Sequence, residues 1–341
     1  MKRENNAGTL SVRRYALLLL TLMIGLLAAM LLSLMMGRYT ISPDAVLQIL
    51  LGNDAVSSKD SSILMNIRLP RILLNVLVGG GLAIAGTAFQ GVFQNPLVSP
   101  DVLSVSSGSA FGAVLGIMIS GTALVNTALA LTFGILSLFL TYGISKLGKQ
   151  RSILNLILAG LIMTALFNAL ISFMKYIADT ETQLPEITYW LMGSFSGTTY
   201  TDIKIVLMPI LGGSLVLYLL RYRINILSLG DEEAIALGVN PGTTRFLILL
   251  AATLVTASCV TVTGIIGWVG LVIPHICRML VGHSHGRLIS TSFLVGAIFI
   301  TLVDLISRIL VAAELPIGIL TAIIGAPFFA FVFWQTQRAA N

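Results

Sequence analysis

Charged residues are scarce in this sequence. Asp, Glu, Lys and Arg make up 10% of its 341 residues, against roughly 25% in a soluble globular protein. Residues of the AVILMFWYC set make up 56%, which is more apolar surface than a soluble fold of this length can cover. The composition excludes a soluble globular protein, a disordered chain, a coiled coil and a collagen, and it indicates a multi-pass membrane protein.

Cysteine and the usual catalytic combinations are also lacking. Cys259 and Cys277 lie in apolar runs without a CxxC pair, so we interpret both as core residues. Residues 143–149 match the core of a phosphate-binding loop, but Gln150 stands where the magnesium-binding Ser or Thr is required. No Ser-His-Asp set or carboxylate pair stands out, and His283 and His285, the pair of histidines that could suggest a metal site, have no carboxylate or thiol close by in sequence. The sequence predicts neither a catalytic residue nor a metal site.

Long apolar runs are present throughout. About 20 residues are enough to cross a bilayer as a helix, and ten such runs can be placed. They lie at 15–36, 71–91, 104–121, 124–146, 152–176, 203–220, 245–263, 266–281, 289–311 and 316–334. The sequence therefore predicts an all-α polytopic membrane protein with one domain over residues 1–341. The polar stretch 37–70 is expected to be an exposed connection.

The positions of the basic residues predict the orientation. With the amino terminus inside and ten spans, 13 basic residues fall in inner segments and 7 in outer segments. Inner loops carry the excess of Lys and Arg, so both termini are expected in the cytoplasm, with residues 1–14 as a cytoplasmic tail. The net charge of +6 is then a sign of topology, and nucleic acid is not an expected partner.

Small residues and isolated charges mark further positions. Gly108, Gly112 and Gly116 recur every four residues, which favours close helix packing within the chain over a dimer seam. Asp304 is the only carboxylate well inside a run, and Arg308 follows one turn later, so an ion pair is favoured over a proton relay.

Two polar segments are candidates for contact with partners. Asp231 to Glu233 suit the positive end of a short helix, and Gly238 suits its termination; by composition, a partner surface and a plain connector are equally good interpretations. Arg68 and Arg71 flank the start of the second run. They suit either contact with lipid headgroups or a cationic rim for an acidic partner.

Several long motifs resemble one transport family. They are RLPR at 68–71, GLAIAGTAFQGVFQNPLVSPDVLSVSSGSAFGA at 81–113, EEAIALGV at 232–239, GIIGWVGLVIPHICRMLVGHSHGRL at 264–288 and AELPIGILTAIIGAPFF at 313–329. The chain resembles the membrane subunit of type II ABC importers, the FecCD-type permeases for iron–siderophore, haem and cobalamin uptake. One departure is Trp268, where the family usually has Phe.

The resemblance implies a fold and a set of partners. It implies ten helices per subunit, a homodimer with the pathway at its interface, two cytoplasmic ATPase subunits that use ATP and magnesium, and one extracytoplasmic binding protein. This chain itself would then bind no cofactor, hold no catalytic centre, and lie in the cell membrane.

The resemblance also implies roles for particular residues. Within the cytoplasmic segment 221–244, the residues matching the helix that couples to the ATPase are Asp231, Glu232, Glu233, Ala234, Ala236, Leu237, Gly238 and Val239. Arg68, Arg71 and Arg308 match arginines that pair with glutamates of the binding protein. Residues 152–176 match the helix beside the pathway, with the cytoplasmic gate at Gln150, Arg151 and Ser152.

The cargo is expected to be a metal chelate, with a ferric siderophore as the first choice. Haem, cobalamin and small oxyanions stay open as alternatives. A secondary transporter driven by an ion gradient is the competing class, and it would need an ionisable site near the midplane, for which Asp304 is the sole candidate.

Overall fold

The computed structural model describes residues 10–52, 57–147, 153–311 and 313–340, and within these ranges the chain contains helices but no β-strand. The helices are α1 (Val12–Met35), α2 (Pro43–Leu50), α3 (Ser58–Ser62), α4 (Leu69–Val92), α5 (Val105–Ile119), α6 (Ala123–Ser145), α7 (Ile153–Ile177), α8 (Gln183–Leu191), α9 (Tyr200–Leu219), α10 (Arg221–Leu227), α11 (Asp231–Ala236), α12 (Pro241–Thr263), α13 (Val269–Val281), α14 (His285–Leu310) and α15 (Ile317–Ala340). A π-helical turn, Ile63–Arg68, precedes α4, and a 3₁₀ turn, Pro100–Leu103, precedes α5.

The ten predicted apolar runs each coincide with an apolar helix. In the part of the chain that the structure describes, seven helical segments are long and apolar enough to cross a membrane, and three shorter apolar helices, Val105–Ile119, Val269–Val281 and Ile317–Val332, complete the set. The prediction of an all-α multi-pass membrane protein is confirmed.

Residues 37–70 connect the first two runs, as expected, and most of the described residues in this stretch are exposed, although much of it is helical. Helix α2 begins at Pro43, whose preceding Ser42 caps it by accepting from the Ala45 N–H. Residues 58–92 then form one continuous helical segment of 35 residues. Pro70 has no N–H to donate, and the wider turn before it, in which the Leu69 N–H bonds the Leu64 carbonyl, lets the helix continue through it.

Helix α4 is the centre of the molecule. Within its membrane-crossing segment 83% of the residues are buried, against 17% in α1 and 33% in α7. Helices α9, α12, α13 and α14 surround α4, whereas α1 and α7 expose apolar side chains outward. Apolar outer surface is what lipid or a second membrane subunit can cover.

Helices α5 and α6 pack closely along the expected glycine stripe. A Cβ atom on Gly108, Gly112 or Gly116 would lie 2.8, 2.2 and 2.6 Å from atoms of Phe133, Leu129 and Asn126 in α6. The absence of side chains at these three positions is therefore what lets the backbones approach within the same chain.

Long-range contacts define two ends of the helix assembly. Arg71 at the start of α4 meets Asp304 near the end of α14, and we call this the arginine end. At the opposite end, Arg287 in the first turn of α14 donates to the Leu10 carbonyl at 2.6 Å, and the α14 start also contacts Asn225 of α10. We call it the α11 end, since α10 leads directly into α11.

Candidate functional site

A buried ionic network joins α4 and α14 at the arginine end. Arg71 donates from Nε and Nη2 to Oδ1 of Asp304 at 2.9 and 2.7 Å, and from Nη1 to Oε2 of Glu314 at 2.8 Å. Asn75 donates to Oδ2 of Asp304 at 2.9 Å, and Nε of Arg308 lies 3.3 Å from the same oxygen. Because the Asp304 side chain is fully buried, these groups replace the water that its charge would otherwise require.

Backbone carbonyls near the end of α1 hold the other two arginines. Arg68 donates to the carbonyls of Leu34 and Tyr39. Arg308 donates to the Ser33 carbonyl at 3.2 Å and also to the Ser33 hydroxyl. The network thus connects α1, α4, α14 and the segment that leads into α15.

The structure does not present Arg68, Arg71 and Arg308 as an exposed rim. Their exposed fractions are only 4, 5 and 6%, and their acceptors come from segments that are distant in sequence. The expected pair of Asp304 with Arg308 is present, but Arg71 is the closer cation. A role of these arginines in binding a partner stays a prediction, since none of them offers a free guanidinium at the surface.

Three irregular stretches of backbone meet at the arginine end. They precede α9 (192–199), α13 (264–268) and α15 (313–316). The Ser194 N–H donates to the Thr263 carbonyl at 2.7 Å, and the Ile317 N–H donates to the Gly193 carbonyl at 2.8 Å. Non-helical backbone at membrane depth is tolerated only where protein buries it or where it borders a water-filled cavity.

A cavity of about 560 Å³ lies against these irregular stretches. Its lining combines one cation, two carboxylates, hydroxyl groups and aromatic rings. The residues are Arg38, Glu186, Tyr189, Trp190, Ser194, Ser196, Val262, Thr263, Glu314 and Pro316. We call it the outer cavity. Broken helices around a polar cavity are typical of solute sites in transporters.

An ordered turn between α7 and α8 positions the helix that supplies three of these residues. The backbone N–H and the hydroxyl of Thr182 donate to Asp179 at 2.8 and 2.7 Å. These hydrogen bonds lower the pKa of Asp179, because they stabilise its ionised form. The turn thus stays closed by a charged acceptor at neutral pH.

Helix α11 is a short capped helix at the opposite end. The N–H groups of Gly238 and Val239 donate to the carbonyls of Ile235 and Ala234, both at 2.9 Å. With a φ of 76° at Gly238, this is the pattern of a Schellman motif. Asp231 in the first turn bonds Arg245 of α12 at 2.6 Å, which fixes α11 on the body of the protein.

The face that α11 offers to a partner differs from the expected one. Ala234 is fully buried against its own chain, whereas Ile235 and Leu237 are 64 and 59% exposed. Glu232, Glu233 and Ala236 are also exposed. The α11 surface is therefore two uncovered apolar side chains beside two carboxylates. Successive residues of an α-helix are rotated by about 100°, so Ala234 can face the body of the protein while Ile235 beside it points away.

The helix predicted to border the pathway is α7. It begins at Ile153 and exposes Leu154, Leu158, Leu161 and Ile162 along one side. The predicted gate residues Gln150, Arg151 and Ser152 lie outside the described residues.

Two features were missed by reasoning from sequence. Glu314 was not singled out, although it lies within the motif at 313–329. Arg38, exposed at the outer cavity, was counted only for topology. The signal that could have found both is their placement next to the ends of apolar runs on the same predicted side.

The fold and the cavity define a class of protein: a multi-pass, all-helical transport protein of the cell membrane. The chain belongs to the FecCD transport family, whose model matches residues 25–335. It is an ABC importer permease with the type II fold.

Relatives show how broad this family is in cargo. The chain is 42% identical to a molybdate import system permease of Haemophilus influenzae, over 95% of this chain and 97% of that protein. It is 37% identical to a probable iron chelatin transport system permease of Helicobacter pylori, over 84% and 86%. It is also similar to a solved inward-facing metal-chelate type ABC transporter, with a TM-score of 0.86, 40% identity, and coverage of 94% of this chain and 100% of that one.

Proposed function

We propose that two copies of this chain form the translocation pathway of an importer for a metal chelate, with a ferric siderophore as the principal cargo. The outer cavity carries the proposal. Its mixed lining of Trp190, Tyr189, hydroxyl groups and charges of both signs suits a large organic chelate that presents rings, hydroxyls and charge together. Weak contacts of several kinds also suit a cargo that must be released again.

The arginine end is assigned to the extracytoplasmic side in this proposal. The excess of basic residues in the other segments supports it. A binding protein delivers the cargo there. The exposed Arg38 at the rim of the outer cavity is the cation available to it. The buried arginines, Arg68, Arg71 and Arg308, would stabilise this surface by holding α1, α4 and α14 together.

The α11 end is assigned to two cytoplasmic ATPase subunits. Ile235 and Leu237 are the uncovered apolar groups that a groove on each ATPase would bury. Closure of the ATPases on ATP and magnesium would move α11, and the Asp231–Arg245 ion pair would pass that movement to α12. This chain supplies the path, and ATP hydrolysis takes place in the partner subunit.

The exposed side of α7 is assigned to the pathway and the second copy. Its leucine and isoleucine side chains would face the same helix of the partner subunit. Such a lining binds a passing chelate only weakly, so specificity would be set by the binding protein.

Molybdate is the second candidate cargo. The 42% identity over nearly the full length of a molybdate permease favours it. The outer cavity offers one exposed arginine and one carboxylate, Glu186, beside Glu314, which Arg71 already holds; this lining has no excess of positive charge for a bare dianion. Haem and cobalamin, which also present rings and charge together, are further candidates for the same lining.

One transport experiment separates these cargoes. The chain is reconstituted in liposomes with the ATPase and binding protein encoded beside it. ATP-dependent uptake of iron-55 siderophore, haem, cobalamin and molybdenum-99 molybdate is then measured. We expect iron uptake to exceed molybdate uptake at least tenfold. Molybdate uptake without chelate uptake would overturn the proposed cargo, and loss of ATP dependence would overturn the partner assignment.

An ion-gradient mechanism would require a free ionisable group within the helices. Asp304 is held by Arg71, Arg308 and Asn75 at 3.3 Å or less, and this neutralised setting favours a structural role. Uptake by the chain alone under a proton or sodium gradient would be the contrary result.

A further inference from the structure

A second cavity lies at the α11 end, and of its lining residues the transport cycle proposed above uses only Arg245, through its ion pair with Asp231. It has a volume of about 570 Å³ and lies between the end of α6, the start of α7 and the start of α12. Two cations line it, Lys146 and Arg245, and no carboxylate belongs to the described lining. We call it the inner cavity.

The two cations leave positive charge unpaired in the inner cavity. Arg245 holds Asp231 through its Nη atoms, whereas its buried Nε has no hydrogen-bond partner among the described residues. Lys146 is exposed, lies 4.8 Å from the ring centroid of Tyr142, and forms no ion pair within the described chain. Asp231 offsets one of the two charges, which leaves the cavity with an excess of one positive charge.

The amino terminus of α12 adds to this positive potential. Asn240 caps the helix by accepting from the Thr243 N–H at 3.1 Å, and Asn240, Gly242 and Thr243 all line the cavity. A helix of 23 residues carries about half a positive charge at this end. An anion is therefore favoured on grounds independent of the two side-chain cations.

Part of the wall of the inner cavity, next to the two cations, is aromatic. The ring of Phe246 lies 5.1 Å from that of Tyr142 and 6.2 Å from that of Phe139. Phe139 is 49% exposed on the outer side of α6, so the wall continues from the cavity to the apolar surface of the protein. A ligand that fills the site has an anionic head and an apolar stem.

We propose that the inner cavity binds the phosphodiester headgroup of an anionic phospholipid. Cationic pockets between helices at a membrane face bind such headgroups. The cavity lies at the ends of three spans, which is the depth of the headgroups, and the aromatic wall contacts the first part of the acyl chain. A free phosphate or oxyanion would use the cations but leave the aromatic wall empty. The proposal does not depend on the cargo or on the ATPase.

Native mass spectrometry of the full-length chain tests the proposal. The protein is purified in detergent and mixed with equimolar dioleoylphosphatidylglycerol and dioleoylphosphatidylcholine. We expect preferential retention of phosphatidylglycerol. Lys146→Gln should reduce that retention about fivefold, whereas Lys204→Gln, an exposed lysine in the first turn of α9 at the arginine end, should leave it unchanged. Equal retention of the two lipids, or an unchanged Lys146→Gln protein, would overturn the proposal.

Two further measurements identify the source of the anion and the role of the wall. An excess of inorganic phosphate should not displace the lipid; displacement would assign the site to a free oxyanion instead. Phe139→Ala, at a partly exposed position, should lower phosphatidylglycerol retention without changing the thermal unfolding temperature. If retention stays at the wild-type level in this variant, the lipid is held by charge alone and the proposed site is wrong.

Discussion

Asp304 is the single residue on which most of the arginine end depends. Its two oxygens are shared by Arg71, Arg308 and Asn75, and it is inaccessible to solvent. A carboxylate buried in this way contributes mainly by balancing cations that cannot be rehydrated. The residue was visible in the sequence, but its closest partner, 233 positions away, was not.

We expect Asp304→Asn to destabilise the protein by about 3–5 kcal/mol, because the buried guanidinium groups of Arg71 and Arg308 lose the carboxylate that they share. Thermal unfolding of the detergent-solubilised chain, followed by helical circular dichroism, measures the effect. The control is Glu314→Gln, where the carboxylate is 26% exposed and bonds a single arginine; its loss should be clearly smaller. Equal effects of the two substitutions would show that Asp304 is not the centre of the network.

The sequence predicted which membrane-spanning helices are present better than it predicted the short helices or the side-chain burial within them. Apolar runs identify all ten apolar helices, because a helix that spans a bilayer needs about 20 mostly apolar residues in succession. Helices α2 and α3 have only eight and five residues, too few to span a bilayer, so this requirement does not mark them in the sequence. The burial of Ala234 beside the exposed Ile235 was also out of reach, because side-chain direction in a single-turn helix depends on where α12 holds it.

The close contact between α5 and α6 predicts that a larger residue at Gly112 destabilises the protein. A Cβ on Gly112 would lie 2.2 Å from the Leu129 carbonyl, so Gly112→Ala must push the helices apart and should cost about 1–3 kcal/mol. Gly212, within α9, has open space around the same position. Gly212→Ala should therefore be neutral or stabilise by about 0.4–1 kcal/mol. Chemical or thermal unfolding of both variants checks the difference, and a stable Gly112→Ala protein would contradict the packing.

The α11 surface gives a second prediction at this scale. Ile235→Asp combined with Leu237→Asp should weaken association of the ATPase at least tenfold, since two exposed apolar groups become charged in the proposed contact. Co-purification and transport-coupled ATP hydrolysis are the measurements. Leu124→Asp, 72% exposed at the start of α6, is the matched control at the arginine end. If the double variant associates with the ATPase as strongly as the wild type, α11 is not part of the ATPase interface.

Across the whole molecule, the two ends differ in how their charges are used. At the arginine end, Arg68, Arg71 and Arg308 are buried and bonded within the protein, whereas Arg38 is exposed at the rim of the outer cavity. At the α11 end, carboxylates face outward and the inner cavity stays cationic. The α11 segment could be located from the sequence by motif, but the two cavities could not, because the tertiary fold decides which charges are free.

Arg38→Glu should therefore weaken association of the binding protein. From the sequence alone, Arg68 or Arg71 would have been chosen for this test. We expect roughly threefold to tenfold weaker binding at low salt, mainly through slower association, and a smaller difference at high salt. Surface plasmon resonance on the reconstituted transporter measures both rates. Arg223→Glu, exposed at the α11 end, controls for net charge, and equal binding by wild type and Arg38→Glu would reject this rim.

The ionic network also constrains how the chain is made. Arg71 and Asn75 leave the ribosome more than 200 residues before Asp304, their shared partner. Over that interval the Arg71 guanidinium lacks the carboxylate of α14, and a charge in a membrane helix costs about 2.5–3.5 kcal/mol at its centre and less near an end, where the side chain reaches the interface. We therefore expect the start of α4 to stay near the lipid headgroups until α14 is inserted, so that the two helices pack late in assembly.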